Sequence, residues 1–197
     1  MTNTTSRSIS TSPSTSSPTS FPTSSPTSFP TSSPTALLDR VLSTDGSRTL
    51  LVQRLALGLI IFPHGAQKLL GWFGGYGFSG TMGFFTDTMH LPAPLALLII
   101  LAESLGAIGL VFGAGTRVAA LGIASVMLGA IFTTHIHVGF FMNWFGGQAG
   151  EGYEYHLLAL ALAVPLIVRG AGALSIDGAL AERLRTGATA IFHPGRA

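Results

Sequence analysis

The sequence predicts an all-α integral membrane protein: a four-helix bundle with both termini in the cytoplasm and a disordered N-terminal tail. Four apolar runs lie between residues 49 and 168, and about 20 apolar residues are enough for a helix to cross a bilayer. Of the 197 residues, 47% are hydrophobic and only 9% are charged, whereas about 25% are charged in a typical soluble domain. This length allows one compact bundle and no second soluble domain.

Residues 1–36 form a low-complexity tail rich in Ser, Thr and Pro. The octad SFPTSSPT occurs at residues 20–27 and is repeated without change at residues 28–35. The tail has one charge, Arg7, and almost nothing to bury. Because burial would not offset the entropy lost on ordering, we expect this segment to be disordered.

The membrane domain is predicted over residues 37–180, with helices at about 49–70, 94–113, 116–136 and 155–168. Pro63-His64-Gly65 is predicted to interrupt the first helix with a kink that opens space beside His64.

Short signals mark the ends of the later helices. Gly113 and Gly115 are stop signals between the second and third helices, and Thr116 is the predicted N-cap of the third. After the fourth helix, a turn leads into a short amphipathic helix at the membrane surface. Residues 181–197 are assigned to an amphipathic, flexible C-terminal tail.

Basic residues set the predicted orientation. Arginines precede the first helix, lie in the link between the second and third helices, and follow the fourth helix: Arg40, Arg48, Arg117, Arg169 and Arg183. The other two loops contain no Lys or Arg apart from Lys68, at the end of the first helix. Since cytoplasmic loops carry an excess of Lys and Arg, both termini are predicted in the cytoplasm, in a multi-pass protein of a prokaryotic plasma membrane.

Composition excludes several classes of function. The chain contains no cysteine, which excludes disulfides, thiolate-ligated iron–sulfur clusters and thiol redox chemistry by the chain itself. The formal net charge of +2 is too small and too scattered for nucleic-acid binding. Redox chemistry would therefore require a bound cofactor, a quinone or a partner subunit.

The first apolar run carries polar side chains that a lipid-facing helix would not tolerate. At about 100° per residue, Arg54, His64 and Lys68 fall on one stripe. A charge facing lipid costs about 2.5–3.5 kcal/mol on insertion scales, so the stripe is predicted to face protein or a water-filled cavity. Hydrogen bonding to neighbouring helices would explain any one of these residues, whereas the whole set favours a binding or redox site.

Helix positions bring titratable groups from all four helices into the outer half of the bundle. With a rise of about 1.5 Å per residue, Lys68 lies about 3 Å, His64 about 9 Å and Glu103 about 14 Å from the outer helix ends. A carboxylate at this depth requires a cationic partner, and Arg54 or Lys68 is predicted to supply it. The third and fourth helices add residues at their outer ends: His135, His137, Glu154 and His156.

Three chemistries could use this cluster, and no spacing is specific enough to choose among them. A b-type haem would take His64 and His135 as axial ligands, although their depths differ. A metal ion would take His135 and His137 with Glu154 or His156, but histidines two apart point to opposite sides of a helix. A quinone headgroup would use a histidine or lysine donor, a carboxylate for proton exchange and an apolar slot for its tail. We assign no metal ligand.

The order of these residues resembles the DoxX family of four-helix membrane proteins. The matching elements are Arg54, His64-Gly65, Lys68, Glu103, a Gly-x-x-x-Arg link ending at Arg117, Met127, His135, Glu154, and Gly170-x-Gly172-x-x-Ser175-x-Asp177. The resemblance covers about residues 48–180. It implies a membrane component of the kind associated with thiosulfate:quinone oxidoreductase, or with responses to oxidants, quinones and electrophiles.

The sequence thus favours a membrane component of a redox system that binds a quinone or quinone-like molecule for a partner oxidoreductase, as a non-autonomous subunit. The predicted binding residues are His64, Lys68, Glu103, His135 and Glu154, with Arg54 and Arg117 as structural polar residues. The alternative is a small-molecule carrier or membrane scaffold without electron transfer. Expected partners are membrane lipid, the redox protein, the small molecule and further copies of the chain; no covalently bound cofactor is expected.

Overall fold

The computed structural model describes residues 41–192 of the chain. Within these residues every regular element is helical, so the all-α prediction is confirmed. The tail predicted over residues 1–36 lies outside the described range. Six α-helices lie wholly within it: α1 (Arg48–Leu70), α2 (Gly77–Gly83), α3 (Ala93–Phe112), α4 (Thr116–Ala130), α5 (Glu154–Arg169) and α6 (Ile176–Phe192).

Three helical stretches of the described residues are long and apolar enough to cross a membrane. They are α1, α3, and α4 together with the π-helical turn Ile131–His135 that continues it. The protein is therefore a multi-pass membrane protein. α5 has 16 residues, which at about 1.5 Å per residue fall short of a hydrocarbon core of about 30 Å. The fourth membrane crossing and the cytoplasmic position of the termini therefore stay predictions.

Four of the helices pack around a common apolar core. α1 contacts α3 and α5, and α4 contacts the same two helices, so the four helices close a ring. The core between them consists of buried aliphatic side chains, including Leu57, Ile61, Leu110, Ile123 and Leu166. This ring fixes which helix faces point inward, and it brings polar positions from all four helices toward one axis.

α1 and α3 are in close backbone contact at Gly65. A Cβ atom at this position would overlap the backbone of Glu103 and Ser104, so only glycine permits the contact. The Ser104 hydroxyl donates to the Gly65 carbonyl oxygen at 3.1 Å. α1 continues through Pro63 to Leu70, so the helix is not broken there, and the predicted kink stays a prediction. Membrane helices tolerate an internal proline when neighbouring groups accommodate the backbone carbonyl that it frees.

The connection between α1 and α3 is folded. It contains the 3₁₀ turn Trp72–Gly74, then α2, then the π-helical turn Phe84–Thr88. Phe85 packs against Ala96 and Ile100 of α3 in a second, smaller core. This packing supports the first turns of α3 beyond the end of α1.

The start of α4 is capped by a residue from far along the chain. The predicted N-cap at Thr116 is wrong, because Thr116 is already the first helical residue and Gly115 precedes it. The Asp177 carboxylate accepts the backbone N–H groups of Gly115 at 2.7 Å and Thr116 at 2.8 Å. The first N–H groups of a helix lack partners and carry partial positive charge, so this carboxylate satisfies both needs. α6, which holds Asp177, runs through the boundary predicted at residue 181.

Candidate functional site

A cavity of about 1310 Å³ lies along α1, α3, α4 and α5. Four of the five predicted binding residues line it: His64, Lys68, Glu103 and His135. Tyr155 and His156, at the start of α5, line the same end, where their rings contact those of His64 and His135. We call this end of the cavity, defined by these six residues, the polar chamber.

An ion pair between Lys68 Nζ and Glu103 Oε2 forms one wall of the polar chamber. The side chains of Lys68 and Glu103 are 25% and 6% exposed, respectively. Of the two cations predicted to pair with this carboxylate, Lys68 and not Arg54 does so. The ammonium compensates the carboxylate for the hydration that it loses on burial.

The ends of α1 and α3 are not level, which brings Lys68 and Glu103 together. Counted from helix ends at equal height, the two residues are separated by about 11 Å in depth. In the structure, Gly65 lies five residues before the end of α1 and contacts Glu103, ten residues after the start of α3. α3 therefore extends about 7 Å beyond α1.

Histidine and tyrosine rings continue the chamber from α1 to α4 and α5. The ring centroids of His64 and Tyr155 are 5.9 Å apart, and those of His135 and His156 are 4.2 Å apart. His135 Nδ1 lies 2.8 Å from the carbonyl oxygen of Glu151. Because a carbonyl oxygen only accepts, this contact assigns a proton to Nδ1 and leaves Nε2 as the acceptor of the neutral ring.

Apart from Glu103 Oε2, which the Lys68 ammonium pairs, two buried polar atoms of the chamber residues have no hydrogen-bond partner among the described residues: the Tyr155 hydroxyl oxygen and His156 Nδ1. Leaving such a group unpaired costs about 1–3 kcal/mol. Native proteins retain unpaired groups for strain, for a redox or catalytic role, or for a bound water or ion. The chamber residues therefore hold hydrogen-bonding capacity that the rest of the described chain does not use.

Glu154 is the predicted binding residue that does not line the cavity. Its Oε2 accepts the backbone N–H of Met142 at 3.3 Å and so holds the loop before α5. His156 begins the buried stripe of α5, which continues through Ala159, Ala163 and Leu166. Residues two apart on a helix point about 200° apart, so Glu154 falls off this stripe. The same periodicity, applied to the sequence, would have selected His156 instead.

Arg54 lies at the opposite end of the bundle from the polar chamber and is 1% exposed. Its guanidinium donates to the carbonyl oxygens of Leu110 at 2.7 Å and Val111 at 2.8 Å. These carbonyls end α3 and carry partial negative charge. Three further carbonyls, those of Ala171, Ala173 and Leu174, accept from the same guanidinium.

Arg117 binds the end of a different helix in the same way. Its guanidinium donates to the carbonyl oxygen of Ile167, near the end of α5, at 2.7 Å, and to that of Ser43 at 3.0 Å. Together with the Asp177 cap on α4, these contacts tie three helix ends to one another. We call Arg54, Arg117 and Asp177 the Arg54 network.

His137 is exposed and does not line the cavity, so the pairing of His135 with His137 considered for a metal site is not present. His135 packs against His156 instead. Within residues 41–192, no group of three or more His, Asp or Glu side chains is arranged to hold a metal ion.

Comparison with known proteins gives a family match and one curated relative. Residues 49–136 match the DoxX family model. The relative is a protein of Bacillus subtilis (strain 168) named "Putative oxidoreductase CatD". It is 29% identical over 127 residues, which cover 64% of this chain and 83% of the relative. No solved structure shows significant similarity to the chain.

The family match runs from α1 to the π-helical turn after α4, and it ends before α5. It therefore includes the chamber residues His64, Lys68, Glu103 and His135, but not the two that α5 supplies. The resemblance to the DoxX family that the polar residues indicate is confirmed over residues 49–136, where the family model matches.

Proposed function

We propose that this protein is a membrane component of a redox system, and that the polar chamber binds the headgroup of a quinone or quinone-like molecule for a partner oxidoreductase. The Lys68–Glu103 ion pair carries the proposal, because it lies at the wall of a cavity inside a bundle of membrane helices. The DoxX family match and the name of the Bacillus relative support the redox assignment. By the same proposal, the membrane is a prokaryotic plasma membrane.

The polar chamber offers the groups that a quinone headgroup needs. The headgroup has two carbonyl oxygens, and each takes up one proton when the molecule accepts two electrons and becomes a quinol. The Lys68 ammonium and a histidine N–H are donors for these oxygens, and a donor at an oxygen stabilises the negative charge that reduction places there. Glu103 is the carboxylate that exchanges a proton with the bound molecule.

By this proposal the electrons come from the partner oxidoreductase, because the chain has no cysteine for thiol redox chemistry of its own. The role of this chain is to bind and orient the headgroup, to exclude bulk water and to exchange protons. It therefore acts as a non-autonomous subunit.

A structural role alone explains the ion pair less well. If the pair only joined α1 to α3, well-packed hydrophobic residues could take its place, because such residues often replace buried ion pairs without loss of stability. This pair lines a large cavity instead. The unpaired Tyr155 hydroxyl and His156 Nδ1 add donor and acceptor capacity at the same place.

Quinone binding to the purified protein in lipid nanodiscs tests this proposal. A tail-less naphthoquinone is titrated against wild type, Glu103→Gln and Glu154→Gln, and binding is followed by quenching of tryptophan fluorescence. We expect wild type and Glu154→Gln to bind equally and Glu103→Gln to bind at least about tenfold more weakly. The two variants make the same chemical change, one at the chamber wall and one outside the cavity.

Absence of saturable binding to wild type, or an equal loss in both variants, would contradict the chamber assignment. The carrier or scaffold alternative is separated by a second measurement in liposomes. Transport of the bound molecule without any change in its redox state, with or without an added oxidoreductase, would favour the carrier.

A further inference from the structure

The cavity continues far beyond the polar chamber, between α3 and α4. Its volume of about 1310 Å³ exceeds the roughly 300–1,000 Å³ of most small-molecule pockets. Away from the chamber it is lined by apolar and small residues that include Leu98, Leu105, Val118, Gly122, Ser125 and Gly129. We call this part of the cavity the lateral groove.

The lateral groove opens sideways on the surface of two membrane-spanning helices. Val118 is 65% exposed and Leu98 61% exposed, although both line the cavity. Since α3 and α4 are apolar enough to cross the bilayer, this opening faces hydrocarbon and not water. Val118 and Gly129 are eleven residues apart on α4, so the groove follows that helix for about 16 Å.

A glycine on α4 contributes to the groove because it has no side chain. Glycine in a membrane helix usually lets a neighbouring helix approach closely, and Gly122 does so, since a Cβ there would lie 3.3 Å from Ala102 Cβ. Gly129 is different, because among the described residues a Cβ there would meet no atom beyond its own stretch of helix within 4 Å. Close packing therefore does not account for Gly129. Its effect is to leave room between the chamber and the middle of the groove.

We infer that the lateral groove binds the hydrocarbon tail of the ligand, so that the ligand is a long-tailed, membrane-dissolved quinone that enters between α3 and α4. The inference rests on the proposed function, which assigns the headgroup to the polar chamber. Continuity supports it: the polar wall and the apolar groove belong to one cavity. An amphipathic ligand with a polar head and a long apolar tail matches this division.

Two quinones with the same headgroup test the inference, one without a tail and one with a long polyisoprenoid tail. Affinity is measured in phosphatidylcholine nanodiscs for wild type, Gly129→Leu and Leu128→Phe. Gly129→Leu fills the groove where the structure leaves space, and leucine is the better helix former. Leu128 is exposed on the same helix and does not line the cavity, so Leu128→Phe adds bulk outside the groove.

We expect Gly129→Leu to weaken binding of the long-tailed quinone by about tenfold or more and to leave the tail-less quinone unchanged. Leu128→Phe should change neither. Each ligand is compared across variants, so its partition into lipid cancels. An unchanged affinity for the long-tailed quinone in Gly129→Leu, or an equal loss for both quinones, would overturn the inference.

Failure of the proposed function gives a different result, in which the tail-less quinone does not bind wild type at all. If Gly129→Leu does not fold, a wild-type measurement decides. A quinone with a photoreactive group at the tail end should label groove residues of α3 and α4. Labelling confined to other helices, or equal labelling of the groove by a phospholipid with the same group on its acyl chain, would overturn the inference.

Discussion

A buried charge is compensated by different kinds of partner at the two ends of the bundle. In the Arg54 network, the Arg54 guanidinium donates to five backbone carbonyls, two at the end of α3 and three in the segment between α5 and α6. In the polar chamber, Glu103 has the Lys68 ammonium as its partner, and the pair borders a cavity. Neighbouring chamber residues leave polar atoms unpaired beside the cavity, whereas the unpaired Nε of Arg117 at the other end does not border it.

This difference distinguishes charged residues that stabilise the fold from charged residues that can also bind a ligand. A charge whose hydrogen-bonding groups are all used by backbone at helix ends stabilises one arrangement of the chain and has nothing left to offer a ligand. A charged group that has a single partner and borders a cavity can still form a hydrogen bond or ion pair with a ligand, as can the unpaired polar groups beside it. Both kinds of residue belong to the polar pattern that resembles DoxX, so membership of that pattern does not by itself identify a binding residue.

The largest expected effect is therefore at the Arg54 network. Arg54→Met keeps much of the side-chain volume but leaves five carbonyls without their donor, and each unpaired buried group costs about 1–3 kcal/mol. We expect loss of folded protein, measured as monodisperse yield and thermal unfolding in detergent. Arg54→Lys should recover little, because an ammonium lacks the planar fork of donors.

Arg48→Met is the matched control, because Arg48 lies on the same helix and is exposed. It should change stability by no more than about 0.5 kcal/mol. Near-normal folding of Arg54→Met would show that the helix ends hold together without their shared donor, and the contrast between the two ends would fail.

An intermediate effect is expected at the ion pair. Glu103→Gln leaves the Lys68 ammonium without its countercharge, and breaking a buried pair in this way costs about 3–5 kcal/mol. Since the Lys68 side chain is a quarter exposed at the cavity, the loss should fall at or below the lower end of this range and be smaller than that of Arg54→Met. The protein should fold and lose quinone binding.

The double variant Lys68→Met/Glu103→Gln sharpens this prediction. It removes both charges, so it should regain part of the stability that Glu103→Gln loses, because no unpaired charge remains. Quinone binding should stay lost, because the donor and the proton-exchanging carboxylate are both gone. A double variant that binds like wild type would show that the pair is structural only.

The sequence could predict features that depend on local signals, but not features that depend on contacts between distant residues. Helix positions follow from local signals, apolar runs ending at glycines, and the predicted and observed bounds of α1, α3 and α5 differ by one residue at most. The Asp177 cap contacts Gly115 and Thr116, which precede it by 62 and 61 positions in the chain. No local sequence signal indicates this contact. The rule that favoured Thr116 is local.

The relative heights of the helices could not be predicted from local sequence signals either. The step of about 7 Å between α1 and α3 depends on how the connecting segment folds and on one contact, that of Gly65 with Glu103. The choice between Glu154 and His156 was within reach, because it needs only the phase of the buried stripe on α5. Non-local contacts and helix offset, more than helix identity, therefore limited the prediction of the site.

The smallest expected effect on stability, and the sharpest contrast with Arg54, is at Tyr155. Tyr155→Phe removes a buried hydroxyl that has no partner among the described residues, so no hydrogen bond is lost and one unpaired polar group disappears. Stability should therefore stay within about 1 kcal/mol of wild type, with any change toward higher stability. If the hydroxyl is used by the bound headgroup, quinone affinity should fall about three- to tenfold.

Tyr153→Phe is the matched control, because its ring packs against Phe140 in the loop before α5, outside the cavity. It should leave quinone affinity unchanged. Thermal unfolding and quinone titration are measured on the same preparations of both variants, so that each variant gives one stability value and one affinity. A marked loss of stability in Tyr155→Phe would mean that the hydroxyl is bonded within the fold, and the polar chamber would then resemble the Arg54 network. Unchanged stability with weakened binding would keep the two ends distinct, since the hydroxyl would then contribute only when the ligand is present.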